Sequence, residues 1–523
     1  MFGFLRRRPR PQWIAPLQDA RWDGSCLNLQ AEPGTPHLAI ELDGSHFDTV
    51  SCAADGSARV EFAFAPNGKE GLSVLPRSGR DGAALSNMPA YLLPGQAGFA
   101  TAPPRTRALR RVAGGARPVS FGTDVAAPTV SIVVPVFNAP DLVARCLASV
   151  IAHTTGKARL ILIDDASSDA QIAPLLARFG RIPGVRVLRN DHNRGFTATA
   201  NRGIAAAGTD DVVLLNADTE VGPNWLQGLR RAALVESRVA TATAVSDNAG
   251  AFSVPELEQE NPGPAAWSLE ARARALWQQA GLAYPQLPTG NGFCMYIRRG
   301  VIDAVGALDE VAFPQGYGEE NDLCQRAAQA GLVHLIAGNV YVGHARSASF
   351  GAQRRATLGA AGMAVLRERW PDYEAEVGRS LRSFARRVLD WRVRRAFAAA
   401  TDSGSPRPRL LWVGAGAPRW SDAQVWNLVA NDTENELLVD GEVIAANTWQ
   451  AHDPEPSYRA LWDWLQVFAF EALLVARAGD SVAEILARLL DIPVLVVAQP
   501  FAASAREALA AGIASTRSFQ ESL

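Results

Sequence analysis

Three groups of side chains in this 523-residue chain have the types and spacing to do chemistry together. Asp164 and Asp165 are adjacent carboxylates followed by Ser167, Ser168 and Asp169. Asn216-Ala217-Asp218 sets an amide and an acid two positions apart, and Glu319-Glu320-Asn321-Asp322 supplies three carboxylates in four positions. Carboxylates so grouped can hold a divalent cation or take a proton from a reacting hydroxyl. Each group alone has a plainer explanation: a helix cap, a turn acid, or an acid cluster favoured by a helix N-terminus. Packing does not explain their ordered succession, interleaved with Asn193-Arg194-Gly195-Phe196 and Thr289-Gly290-Asn291-Gly292 and followed by His344.

The elements that must position them follow from hydrophobic period. Val130-Ser-Ile-Val-Val-Pro135-Val136-Phe is a near-continuous apolar run, as expected of a strand buried on both faces. Residues 141–153 have helical spacing, and further apolar runs begin at Leu160, Val185 and Asp211. Strands alternating with helices predict an α/β domain with a doubly wound, mostly parallel sheet, whose ligands sit at the carboxyl ends of its strands. Those ends carry Asn138, Asp164-Asp165 and Asn216-Ala217-Asp218, three polar clusters around one crevice. A helix is expected over 323–330, with the Glu319–Asp322 cluster at its start.

In this order the motifs resemble those of the family 2 glycosyltransferases with the GT-A fold, over roughly 128–375. The marks are Pro135-Val136-Phe-Asn138, the Asp164-Asp165 pair, Asn193-x-Gly-Phe, the Asn-Ala-Asp218 version of an Asp-x-Asp motif, and Glu319-Glu320-x-Asp322. The bacterial polysaccharide or O-antigen type is the nearest likeness. The resemblance implies an inverting transfer of a hexosyl or deoxyhexosyl group from a nucleoside-diphosphate sugar to a glycan or lipid-linked acceptor in surface polysaccharide assembly. It further implies a donor site of Pro135, Val136, Asn138, Asp164, Asp165, Arg194, Asn216 and Ala217, with Asp165 accepting from the base. A Mn2+ or Mg2+ ion would be held by Asp218 and the neutral imidazole of His344, since a carboxylate-lined pocket binds a diphosphate through a bridging cation. The general base is placed at Glu320, with Asp322 as the second candidate. Gly290, Asn291, Gly292 and Glu319 would form the acceptor side. Asn216 and Glu320 stand where the family often has aspartates, which keeps open a non-catalytic glycan-binding or scaffold protein with a degenerate site.

Around this domain the pattern changes. Period-two runs between turn signals predict an accessory β-sandwich over 1–115, and a small Rossmann-like α/β domain is expected over 405–523. Between them, 376–402 reads as a basic helical linker: from 379 to 397 there are seven arginines and one acid, which suggests peripheral contact with an anionic membrane. A net charge of −2 excludes a polycation that holds nucleic acid by bulk charge. Lys69 and Lys157 are the two lysines among 51 basic residues, and neither lies in a glycine-rich loop, which argues against a nucleotidyltransferase. Five scattered cysteines without a CxxC, and no apolar run of signal-peptide or membrane-span length, predict a cytoplasmic protein, with the inner face of the cell membrane as its place of contact.

Overall fold

The computed structural model describes residues 18–22, 26–42, 45–61, 72–77, 90–92, 129–154, 158–281, 284–345, 352–398, 406–414, 416–431, 433–450, 452–477 and 479–497. The chain divides into two compact units. One comprises Met1–Gly115, Trp412–Ala417 and Val425–Asp463; the other comprises Ala116–Leu411, Pro418–Gln424 and Trp464–Leu523.

The first unit is antiparallel. Strands β1 (Asp19–Trp22), β2 (Cys26–Gln30) and β5 (Ser57–Glu61) form one sheet. Strands β3 (His37–Leu42), β4 (Ser45–Ser51), β6 (Leu72–Arg77) and β7 (Ala90–Leu92) form a second, in the order β4-β3-β6-β7. Buried Leu27, Leu29, Leu38, Ile40 and Val60 are inward members of these strands. A meander of Gln424–Ala430, Glu434–Val439 and Glu442–Thr448 adds three antiparallel strands that the sequence pattern did not reveal.

The second unit carries the chemistry. Its sheet is built from β8 (Val130–Val136), β9 (Ala158–Asp164), β10 (Val185–Arg189), β11 (Asp211–Leu215), β12 (Thr219–Val221), β13 (Val239–Ser246), β14 (Cys294–Ile297) and β15 (Val333–His344), in the order β10-β9-β8-β11-β14-β13-β15-β12. Pairing is parallel from β10 to β11 and between β13 and β15, whereas β14 and β12 run antiparallel to their neighbours. The sheet is therefore mixed, and the reversal of β14 has a consequence for the site. Leu215 at the carboxyl end of β11 pairs with Cys294 at the amino end of β14, so the approach to β14, Gly290–Phe293, arrives at the strand-end crevice.

Alternation along β8 splits the core. Ile132, Val134 and Val136 face one layer with α1 (Pro140–His153), α4 (Trp225–Ala233) and α5 (Leu269–Gln279), while Val133 faces the other with α3 (Phe196–Ala206), α6 (Arg299–Val305) and α7 (Glu319–Gln329). A Cβ on Gly203 of α3 would fall 2.2 Å from Val133 Cγ1, so the bare glycine lets the helix lie directly on β8. Beyond β15 come α8 (Ala352–Arg369), α9 (Tyr373–Leu381) and α10 (Phe384–Ala398). The strand–helix–strand pattern read near the carboxyl end is present as Ala472–Val475, Val482–Leu489 and Val494–Val496, with the two strands parallel.

The basic segment is docked inside the second unit. Leu389, Val393 and Ala396 join the main core. Arg386 is fully buried, pairs with Asp390 one turn on at 3.0 Å, and donates to the carbonyls of Ala251 and Ser253 at 2.5 Å each. Arg392 is buried against the Ala280 carbonyl, and exposed Arg394 pairs with Glu256. Much of the charge that suggested a membrane surface is spent on neighbouring carbonyls and acids. Breaking a buried pair leaves an uncompensated charge, so Arg386→Ala is expected to cost about 3–5 kcal/mol in urea unfolding, more than the volume-keeping Arg386→Met.

Candidate active site

The first wall of the crevice is made where β8 and β9 end. Asn138 sits in the left-handed region, at φ 56°, just before Pro140 opens α1. Its amide oxygen accepts from the Ser168 and Asp169 backbones at 2.9 and 3.0 Å, and its own N–H donates to Ser167 Oγ at 2.9 Å. Asp164, nearly fully buried, accepts from the Ser167 N–H at 2.8 Å and pairs with Arg189 at 2.5 Å. The carboxylate and the amide thus fold the 165–169 turn from both sides.

Asp165 faces the next loop. Its Oδ1 accepts from Asn190 Nδ2 at 2.7 Å and the Arg194 backbone at 2.8 Å, and its Oδ2 from the Gly195 backbone at 3.0 Å. Three of the roughly four acceptor positions of a carboxylate are therefore occupied by the chain itself. Gly195 (φ 83°) has no alternative residue: a Cβ there would meet the Pro314 oxygen at 2.3 Å. The Arg194 guanidinium lies 3.7 Å from Glu310, and both groups are solvent-accessible.

The second wall is the β11–β12 turn. Asn216 donates its backbone N–H to the Phe293 carbonyl at 2.9 Å, and its own carbonyl accepts from Thr219 Oγ1 at 2.7 Å. Cys146 lies beneath this turn, its thiol pushed up to about 12 by burial. Thr219 pairs with His344 across β12 and β15, which sets Asp218 Oδ1 3.3 Å from His344 Nε2. The histidine is the last residue of its strand. Its Nδ1 is 2.9 Å from the Asn248 carbonyl, and its ring stacks on Phe293 with centroids 5.3 Å apart. A carbonyl can only accept, so Nδ1 carries a hydrogen, and Nε2, when it carries none, aims its lone pair at a carboxylate oxygen. Two acceptors facing one another call for a cation between them or a proton on the ring. The donor chemistry fits a divalent metal, with the outer N–H anchored as metal-bound histidines require. Among the described residues no three His, Cys, Asp or Glu side chains converge, so Asp218 and His344 would be the protein's share of the coordination.

The third wall is the start of α7, which begins at Glu319, four residues earlier than the sequence pattern suggested. Glu319 is buried and accepts from the Gly318 N–H at 3.0 Å; burial, then the neighbouring Glu320 charge, raise its carboxyl well above the usual range. Burial likewise raises Glu320, while its own backbone N–H, a hydrogen bond with the Glu319 side chain and the Gly292 and Gly318 N–H groups pull it back. Glu320 Oε2 is buried and has no hydrogen-bond partner. Asp322 contrasts with it: 1% exposed, it accepts from Arg326 Nε at 2.8 Å and from Arg369 and Trp370 Nε1 at 3.1 Å each. Of the acceptor-side glycines, Gly290 is demanded by packing, because a Cβ would sit 2.2 Å from Met295 Sδ, whereas Gly292 has open space apart from Phe196.

The structure therefore brings Asp218, His344, Glu320 and the 290–293 segment to one crevice, and assigns Asp164, Asp165 and Asn138 to holding its loops. Sequence reasoning missed Asn190, Asn248 and the Arg369-Trp370 elbow. Asn248 acts through its carbonyl and the others through distant partners, so no local signal marked them.

Residues 131–306 match the family model of glycosyl transferase family 2. Over 100 residues it is 33% identical to the succinoglycan biosynthesis protein ExoO of Rhizobium meliloti, covering 19% of this chain and 28% of that protein. Over 168 residues it is 30% identical to polypeptide N-acetylgalactosaminyltransferase 16 of Mus musculus, covering 31% and 28%. The chain thus spans under a third of the length of either relative. A solved mannosyltransferase from Pyrobaculum calidifontis, in complex with GDP-Man and Mn2+, aligns over 54% of this chain and 77% of its own at 16% identity and TM-score 0.36.

Proposed function

We propose, from the match to glycosyl transferase family 2 over 131–306, that the protein transfers a sugar from a nucleoside-diphosphate sugar to an acceptor hydroxyl with inversion, on a GT-A-type sheet. One observation carries the reading. Gly292, whose N–H favours ionised Glu320, and Phe293, which stacks on His344, are consecutive, so a cation-competent pair and a half-buried base candidate meet at one short segment.

In this reading Asn138, Asp164 and Asp165 shape the nucleotide pocket, with Pro135, Arg194, Asn216 and Ala217 lining it; Val136, expected there too, is 1% exposed and packs in the core beneath. Asp218 and His344 would hold a Mn2+ or Mg2+ ion, which when bound neutralises the diphosphate and stabilises it as leaving group. The unpartnered Oε2 of Glu320 receives the acceptor hydroxyl and takes its proton as the oxygen attacks from the face opposite the diphosphate. Both oxygens of Asp322 are committed to Arg326, Arg369 and Trp370, so the base falls to Glu320. Acceptors in surface polysaccharide assembly fit this reading; the name of the Rhizobium meliloti relative supports it.

Incubating the full chain with a panel of nucleoside-diphosphate sugars and glycan or lipid-linked acceptors should release nucleoside diphosphate with Mn2+ or Mg2+ present and not with EDTA. A scaffold protein would release none and bind none of the donors by calorimetry.

A further inference from the structure

The Asn193–Gly203 segment contains more order than a nucleotide loop needs. Helix α3 begins at the loop held by Asp165, and its residues 197 and 201, one turn apart, share a face. Thr197 is fully buried and its hydroxyl donates to the Phe313 carbonyl. Asn201 makes a two-way pair with the backbone of Leu308: Nδ2 donates to the Leu308 oxygen at 2.9 Å, and Oδ1 accepts from the Leu308 N–H at 3.1 Å. The same Nδ2 reaches Glu310 Oε2 at 3.0 Å.

These bonds seize the 308–313 stretch at both ends. The stretch is stiff in itself, since Asp309 Oδ1 accepts from the Val311 and Ala312 backbones. From Phe313 the chain turns through Gly316 and Gly318, and the Phe313 ring lies where a Cβ of Gly318 would be, 2.4 Å from Cε1. Glu319 and Glu320 follow at once. A continuous set of short contacts therefore runs from the Asp165 carboxylate, through α3, to the backbone that presents Glu320.

We infer that Asn201 and Thr197 are positioning residues: through the 308–318 backbone they hold the Glu320 carboxylate in register with the donor pocket, so that α3 ties donor geometry to proton removal. The inference rests on the transferase reading above. A general base displaced by about 1 Å can cost about 10²-fold in rate, whereas the nucleotide loop keeps its own bonds to Asp165 and the Asp218–His344 pair is set by β12–β15 pairing.

The test uses full-length Asn201→Ala and Thr197→Val, with Thr197→Ser as the conservative control. In each, transfer, metal-dependent nucleoside-diphosphate binding, the pH profile of transfer and amide exchange over 308–318 are measured. Asn201→Ala should lower kcat for transfer about 10- to 100-fold, keep nucleotide affinity within about twofold, speed amide exchange in 308–318 and move the ascending limb of the pH profile. Thr197→Val should do the same more weakly, and Thr197→Ser should restore most of the rate. Wild-type kcat in folded Asn201→Ala, or loss of nucleotide affinity in parallel with kcat, would overturn the inference. If Asn201→Ala does not fold, the Thr197 pair decides by the same criteria. A wild-type chain that neither binds nucleotide nor transfers sinks the function reading instead; the exchange rates then still show whether the clamp exists.

Discussion

Glu320→Gln should lower the rate of sugar transfer by about 10²- to 10⁴-fold while leaving donor binding and folding intact. A positioned base contributes a factor of that size, and Gln keeps the shape while losing the capacity to accept the proton. Asp322→Asn is the informative partner, because its carboxylate is committed to Arg326, Arg369 and Trp370. It should lose stability rather than show a selective loss of kcat at matched folded fraction. The pH dependence has a definite sign. Burial raises Glu320 above the ordinary carboxylate range, and only its ionised form can act, so transfer should rise with pH through that raised value. The same shift means that Glu320 favours folding while protonated, below the unfolded carboxylate range, and loses that contribution as pH rises through its folded pKa. Glu320→Gln should therefore be at least as stable as the parent at neutral pH. A stable Glu320→Gln protein with wild-type transfer and an unchanged profile would remove Glu320 from the mechanism.

Asp218→Ala should abolish the gain in donor affinity that Mn2+ or Mg2+ provides, a loss of at least about tenfold in titration calorimetry with nucleoside diphosphate. The expected size follows from charge: among the described residues Asp218 is the anionic group paired with His344 Nε2, at 3.3 Å, and the imidazole has no negative charge to offer in its place. His344→Gln should weaken the metal effect less, because the carboxylate remains. Folding should change little, since Asp218 is partly solvated and the turn around it is held by Thr219 and the Phe293 carbonyl. Full metal-dependent affinity in Asp218→Ala would mean that the cation site lies elsewhere.

Local pattern made the strand ends legible. A parallel strand buried on both faces reads as a run of β-branched and aliphatic residues, and polar residues directly after such a run have few places to be except the carboxyl-end crevice. Asn138, Asp164-Asp165 and Asn216–Asp218 were found that way, and β8, β9, β10 and β11 lie where the runs predicted. The antiparallel meander in the first unit was not legible, because short half-buried strands leave a weak period among loops.

The residue types at the ends of the strands, and hence the class of chemistry open to this protein, were determined by the sequence alone. Which acid does what was decided by tertiary structure. Asp322 and Glu320 stand two positions apart in one helical turn, yet one is saturated by Arg326, Arg369 and Trp370 and the other keeps a bare buried oxygen. The resemblance already pointed to His344, but only the pairing of β15 with Thr219 sets its Nε2 against Asp218, and only the Asn248 carbonyl fixes the hydrogen on its Nδ1. The reason is that a carboxylate's or imidazole's proton affinity and free lone pairs depend on desolvation and on partners far away in the chain, which neighbouring letters do not encode.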